Sequence, residues 1–162
     1  MWVTITINKN NLGELQSFLE NLYERFQEPI ILTLNSSYSF DETFIFLYEL
    51  ISKLRINNIP TFMGPQFLED GIVTESGIDS REDLFFTTLG ERIIWFLENK
   101  EIGYNFSKIV IMEDTLGVDP IIMKRRGVPY NLYFMYKHAV INNVDEIIND
   151  QKYHFMKLER KR

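Results

Sequence analysis

The run Pro29-Ile30-Ile31-Leu32-Thr33-Leu34-Asn35-Ser36-Ser37-Tyr38-Ser39, followed at once by a helical pattern from Asp41 to Leu54, constrains this chain most. Ile30 to Leu34 is apolar except for Thr33 and does not alternate, so it predicts a strand covered on both faces. A strand of that kind that stops at a small polar turn and feeds a helix is the building unit of an α/β sheet.

The flanking segments repeat the unit. Val3, Ile5 and Ile7 alternate with Thr4 and Thr6, which predicts a strand. Asn10-Asn11 offers an N-cap, with Glu14 placed for a capping box. Leu12, Leu15, Leu19, Leu22, Tyr23 and Phe26 then form one helical stripe, ended by Pro29. Asp41 is the expected N-cap of the second helix. Its main stripe is Phe44, Leu47, Tyr48, Ile51 and Leu54, and Ile45, Phe46 and Leu50 fill the other side, so this helix is expected to be largely buried. Asn57-Asn58 ends it, and Ile59 to Met63 reads as a short strand. The order β-α-β-α-β implies a parallel sheet.

Gly64 to Ser80 carries Gly64-Pro65, Gly71 and Gly77 and reads as a loop, with a turn of helix at Gln66 to Glu69. Ser80 with Asp83 opens a third helix with Phe85, Leu89, Ile93, Phe96 and Leu97 on one face, closed near Gly103. Lys108 to Met112 is a strand. Asp119-Pro120 starts a helix that Gly127 stops, with Lys124, Arg125 and Arg126 in its last turn. Asn131 to Tyr136 is a further strand. The expectation is one α/β domain over residues 1–151, mainly a parallel sheet with flanking helices and the later strands added at an edge or as a small second layer. Residues 152–162 form a basic tail.

The 162 residues carry a formal charge of −6, which disfavours a generic nucleic-acid or anionic-membrane surface. The absence of cysteine excludes disulfides, thiolate metal sites and Cys nucleophiles. No apolar run reaches the roughly 18 residues of a membrane span, and Met1-Trp2-Val3-Thr4 lacks the pattern of a signal peptide; a soluble chain in the cytoplasm or another reducing, intracellular compartment is expected. Thirteen Phe and eight Tyr are many for one small core. Phe44, Tyr48, Phe85, Phe86 and Trp95 are therefore candidates for an interface as well as for the core.

Asn35-Ser36, the helix segment Phe46-Leu47-Tyr48-Glu49-Leu50-Ile51 and the strand Ile59 to Met63 resemble the proteolytic subunit of the Clp protease, within the crotonase-like superfamily. In that family a strand ends in Asn-Ser-Pro-Gly-Gly-Ser, a helix with an Ile-Tyr-Asp-type segment follows, and a short strand leads to Gly and the nucleophile. Val3 to Phe26 fits the same order. His138-Ala139-Val140 and Asn143 to Ile148 resemble the family's closing segment. The resemblance implies a Clp-protease-like or crotonase-like core and an oligomer. The chain departs from the family at the family-motif turn Asn35, Ser36, Ser37 and Tyr38, where Ser37-Tyr38 replaces Gly-Gly. It departs again after Gly64, where Pro65-Gln66-Phe67-Leu68 contains no Ser. His138 and His154 lie far downstream of where the family's base stands, so no nucleophile–base pair is matched.

Two other constellations carry charge in the second half of the chain. Glu113, Asp114 and Asp119 follow the Lys108 to Met112 strand, and carboxylates at a strand end can hold Mg²⁺ in nucleases and phosphotransferases. Asp119 also has a sufficient role as a helix cap. Lys124, Arg125, Arg126, Lys157, Arg160, Lys161 and Arg162 form a basic set suited to docking an acidic partner or nucleic acid. The acidic group Glu69, Asp70, Glu75, Asp79, Glu82 and Asp83 matches no calcium loop and reads as solvated. The sequence thus points to a non-catalytic subunit acting through protein contacts with itself or a partner, with no cofactor. The alternatives are a metal-dependent nuclease or phosphotransferase, and a small module that binds through the basic tail.

Overall fold

The computed structural model describes residues 1–9, 11–69, 71–74, 77–79, 88–112, 123, 125–136 and 139–141. Among these, strands run over Trp2–Thr6 (β1), Ile30–Ser36 (β2), Thr61–Met63 (β3), Gln66–Leu68 (β4), Gly71–Thr74 (β5), Gly77–Asp79 (β6), Lys108–Met112 (β7), Asn131–Tyr136 (β8) and Ala139–Ile141 (β9). Helices run over Leu15–Phe26 (α1), Phe40–Ile56 (α2) and Leu89–Asn99 (α3). The protein is α/β with one mostly parallel sheet, as the sequence predicts.

The sheet order is β6-β5-β4-β2-β1-β7-β8-β9, with β3 also paired to β2. β1 is parallel to β2 on one side and to β7 on the other; β2 is parallel to β3 and β4, and β7 to β8. β5, β6 and β9 are antiparallel additions at the two edges. The chain therefore starts at the middle of the sheet, winds outward through β2 to β4, and returns to the other side of β1 for β7 and β8. This is the doubly wound order, and it needs an apolar layer on both faces. Val3, Ile5, Leu32 and Leu34 face α1 and α2, meeting Leu15, Leu19, Leu22, Leu47, Leu50 and Leu54. Trp2, Ile31, Ile109 and Ile111 face the other way, against Ile93, Phe96 and Met123.

β2 changes partners along its length. Ile30 to Leu32 pair with β3, and Asn35 and Ser36 pair with β4. The gap between them is filled by the Gln66 side chain, which accepts from Leu34 N–H at 3.0 Å and donates to the Leu32 and Gly64 carbonyls, both at 3.0 Å. Gly64 lies where the two short strands bend. A Cβ there would stand 2.8 Å from Thr33 Oγ1 and 3.0 Å from Ile31 Cγ2. Thr33 Oγ1 is itself the acceptor for the buried Trp2 indole N–H at 2.7 Å.

Four expectations are corrected. The segment after Gly64 is not a loop with a helical turn: residues 66–68, 71–74 and 77–79 are strands, because Gln66 replaces a missing ladder bond and Phe67 and Ile72 fill the core. The second helix is capped by Ser39, whose hydroxyl accepts from Glu42 N–H, and Asp41 lies in its first turn. The Asn11–Glu14 capping box does not form; Leu12–Glu14 is a 3₁₀ turn before α1, and the Asn11 side chain bonds backward into the loop. The second helix is also not buried all round, since Ile45, Tyr48 and Ile56 stand in solvent. Of the predicted third helix, residues 80–87 lie outside the described residues; Thr88 caps α3, and Leu89, Ile93 and Phe96 are buried as expected. Gly127, with φ of 63°, fits the predicted stop, while Asp119-Pro120 lies outside the described residues.

Gln66→Met keeps the side-chain volume and removes the bond to Leu34 N–H. Leaving that buried donor unpaired is expected to cost about 1–3 kcal/mol in urea unfolding. Gly64→Ala is expected to cost about 1–3 kcal/mol through overpacking, whereas Gly13→Ala, where a Cβ meets nothing within 4 Å, changes little. Equal effects at the two glycines would contradict this account of the bend.

Candidate functional site

In a doubly wound sheet the crevice for a ligand lies beyond the carboxyl ends of the strands, where the winding direction reverses. Here that place is between the ends of β1 and β7, where Ile5 lies opposite Met112. The turn singled out in the sequence stands at the same edge of the sheet.

Its polar groups are engaged by the fold. Asn35 Nδ2 donates to Thr6 Oγ1 at 3.1 Å, and Asn35 Oδ1 accepts from the Arg92 guanidinium at 2.9 Å. Ser36 is buried; its hydroxyl lies 2.9 Å from that of Thr43 and accepts from Tyr38 N–H at 3.1 Å. Ser37 is exposed, and Tyr38 is half-buried against the layer under α1 and α2. Beside the turn, Asn8 and Asn11 bond each other reciprocally, N–H to side-chain oxygen, at 3.0 and 3.1 Å, and Asn11 Nδ2 donates to the Thr6 carbonyl at 2.8 Å. These side chains brace the carboxyl edge.

Arg92 is the residue that the sequence reading missed. It lies on the apolar stripe of α3, three residues after Leu89 and four before Phe96, and is 8 % exposed. Its guanidinium reaches Asn35 of β2 and the Leu68 carbonyl at the end of β4. Burial lowers its pKa from the ordinary value, but an arginine starts so basic that it keeps its charge. Arg92 thus ties α3 to the ends of β2 and β4. A lone arginine among Leu89, Ile93 and Phe96 was the available signal.

The other predicted residues separate. Arg126 is exposed and paired with Glu98, and Arg125 is exposed. Lys124, Lys157, Arg160, Lys161 and Arg162 lie outside the described residues, as do Glu113, Asp114, Asp119, Phe85, Phe86 and His138. Trp95 is half-buried beside Phe96. Among the described residues no group of three His, Cys, Asp or Glu side chains is arranged to hold a metal ion, and no helix is long and apolar enough to cross a membrane.

Among the described residues, the outer side of α2 is left uncovered by the fold. One side of this helix buries Thr43, Leu47, Leu50, Ile51 and Leu54. Ile45, Tyr48 and Ile56 are exposed by 63, 59 and 79 %, values far above those of a core residue. Phe40 and Phe44 stack with ring centres 4.4 Å apart, and Tyr48 continues the row at 6.2 Å from Phe44. Alongside the row, a groove of about 730 Å³ extends from Phe40 and Phe44 past Met63 and Gly64 to Ile102 and Tyr104. Lone exposed apolar residues are ordinary, but a contiguous set marks a contact surface. This row makes α2 the candidate functional site.

Comparison with protein-family models, with curated proteins and with solved structures finds no match for this chain.

The Arg92–Asn35 contact is a hydrogen bond to a buried charge. A double-mutant cycle with Arg92→Met and Asn35→Ala is expected to return a coupling of about 1.5–3 kcal/mol in chemical unfolding. Independent, additive losses would remove Arg92 from its bracing role.

Proposed function

We propose that this protein is a non-catalytic interaction subunit that acts through the outer face of α2. One observation carries the reading: the apolar side chains Phe40, Ile45 and Tyr48 are exposed, with half-buried Phe44 stacked beside Phe40, on a helix whose core side is already filled. Aromatic side chains are enriched at interfaces because they bury a large area with few rotatable bonds.

The resemblance to the Clp proteolytic subunit fits this reading as a scaffold that lacks the peptidase chemistry. The parallel β1, β2 and β3 and the polar turn after β2 support it. At the turn, Tyr38 packs on the core and Ser36 is buried, so the backbone offers no glycine-lined approach for a peptide. After Gly64, where the family carries its nucleophile, Gln66, Phe67 and Leu68 are buried strand residues. A Clp-like or crotonase-like ancestry stays part of the proposal.

A second reading has one observation in its favour. β7 ends at Met112 beside β1, at the reversal point of the sheet, and Glu113 and Asp114 follow it in the sequence. A metal-dependent nuclease or phosphotransferase using Glu113, Asp114 and Asp119 would be stabilised by Mg²⁺ or Mn²⁺. The interaction reading expects no rise in melting temperature with either ion. A rise lost in Asp114→Ala would favour the enzyme.

The direct test places a photo-activated cross-linking amino acid at position 48 or, as a control, at position 53, on the helix side away from the aromatic row. The expected result is a specific covalent adduct to a protein from position 48 and a much weaker one from position 53. Ile45→Ser combined with Tyr48→Ser is expected to change folding stability by no more than about 0.5 kcal/mol per site, as for other surface positions, while removing the site's binding. No adduct from position 48 would overturn the proposal.

A further inference from the structure

The proposed contact surface has a charge pattern that selects its occupant. Along the solvent-facing line of α2 stand Asp41, Ile45, Tyr48, Ser52 and Arg55, at spacings of four, three, four and three. That is the spacing of a two-helix coiled-coil seam, with apolar residues at its middle two positions, Ile45 and Tyr48. The acid is at one end, the base at the other, and the apolar pair near the middle. Asp41 and Glu42 occupy the first turn, and Lys53 and Arg55 the last. Among the described residues Asp41 and Lys53 make no ion pair within the chain; Arg55 donates its Nε–H to the Thr61 carbonyl at 2.8 Å and lies over the Phe62 ring, which holds its guanidinium at the end of the line with its terminal nitrogens left for a partner carboxylate.

We infer that the occupant is a second copy of this chain, with the two α2 helices packed antiparallel about a two-fold axis at Tyr48. This inference rests on the reading of α2 as the contact surface. Reversing one helix over the other sets Asp41 beside Arg55 of the second copy and Tyr48 beside Tyr48, with Ile45 flanking the Tyr48 pair. A parallel pairing would instead oppose Asp41 to Asp41 and Arg55 to Arg55. The pattern is self-complementary only in the antiparallel sense, which is the requirement of an isologous two-fold interface. Each ion pair then occurs twice. The helix dipoles also oppose each other head to tail in this arrangement.

The pairing has a built-in weakness. Glu49 lies one residue from the axis, so the two Glu49 carboxylates approach each other beside it. One helix pair also falls in the lower range of specific interfaces, below about 1,200 Å² in total. The expected complex is therefore a reversible dimer. Glu49→Gln is expected to tighten it, and Asp41→Lys to loosen it by about tenfold, about 1.4 kcal/mol shared between two symmetry-related surface pairs.

Sedimentation equilibrium from about 1 μM to about 1 mM, the range of weak specific complexes, tests this. The wild-type mass is expected to rise from 19.3 kDa towards twice that value. Asp41→Lys and Arg55→Glu should each weaken the dimer, and the combined charge swap should restore it. Because Arg55 also holds Thr61, a second variant guards against a folding defect: Tyr48→Cys, in a chain without cysteine, should oxidise to a disulfide-linked dimer, whereas Asp41→Cys should not. A wild type that stays at 19.3 kDa, a charge swap that fails to restore, or faster linkage at position 41 than at 48 would overturn antiparallel self-pairing. In those cases an adduct from position 48 to a different protein would leave the contact-surface reading standing. Absence of any adduct would remove both.

Discussion

The rest of the structure depends on burying β1 from four sides. Trp2, Val3, Thr4 and Ile5 are all but inaccessible to solvent. Their backbone groups are satisfied by parallel ladders to β2 and β7, and their side chains alternate into two apolar layers. Trp2 concentrates the constraint. Its ring lies against Phe67, Phe96 and Phe106 while its N–H is spent on Thr33. A strand placed this way forces a layer of helices onto each face of the sheet, and so determines which side of each helix is used up.

That constraint separates two kinds of polar residue. At the carboxyl edge the polar side chains serve the fold: Asn8 and Asn11 lock the β1–α1 loop, Ser36 locks the start of α2, and Arg92 with Asn35 ties α3 to the ends of two strands. Along α2 the reverse holds. The side toward the sheet is complete, and what remains outside is apolar in the middle and oppositely charged at its ends. The first group stabilises the framework; the second is the surface proposed to recognise another molecule.

How much of this was legible in the sequence depended on how long and uniform each segment was. Lys108 to Met112 and Asn131 to Tyr136 were readable to the residue because an unbroken apolar or aromatic run has one use in an α/β protein. The three short strands after Gly64 were hidden by Gly64-Pro65, Gly71 and Gly77, which punctuate loops and bends alike, and by a glutamine side chain standing in for backbone. The exposure of α2 was hidden for a different reason. Phe44, Ile45, Phe46, Leu47 and Tyr48 are consecutive, so periodicity could not say which of them the sheet would cover. The family-like turn was visible, but its role was not: whether Ser36 faces a substrate or Thr43 depends on packing that sequence does not encode locally.

The central claim is the proposal that a second copy of this chain covers the solvent side of α2. Hydroxyl-radical footprinting over a concentration series measures this directly. The account predicts that Tyr48 loses reactivity as concentration rises, while Tyr130, a half-buried ring packed on the other face of the sheet, keeps its own. Tyr48 keeping its full reactivity at every concentration would contradict it.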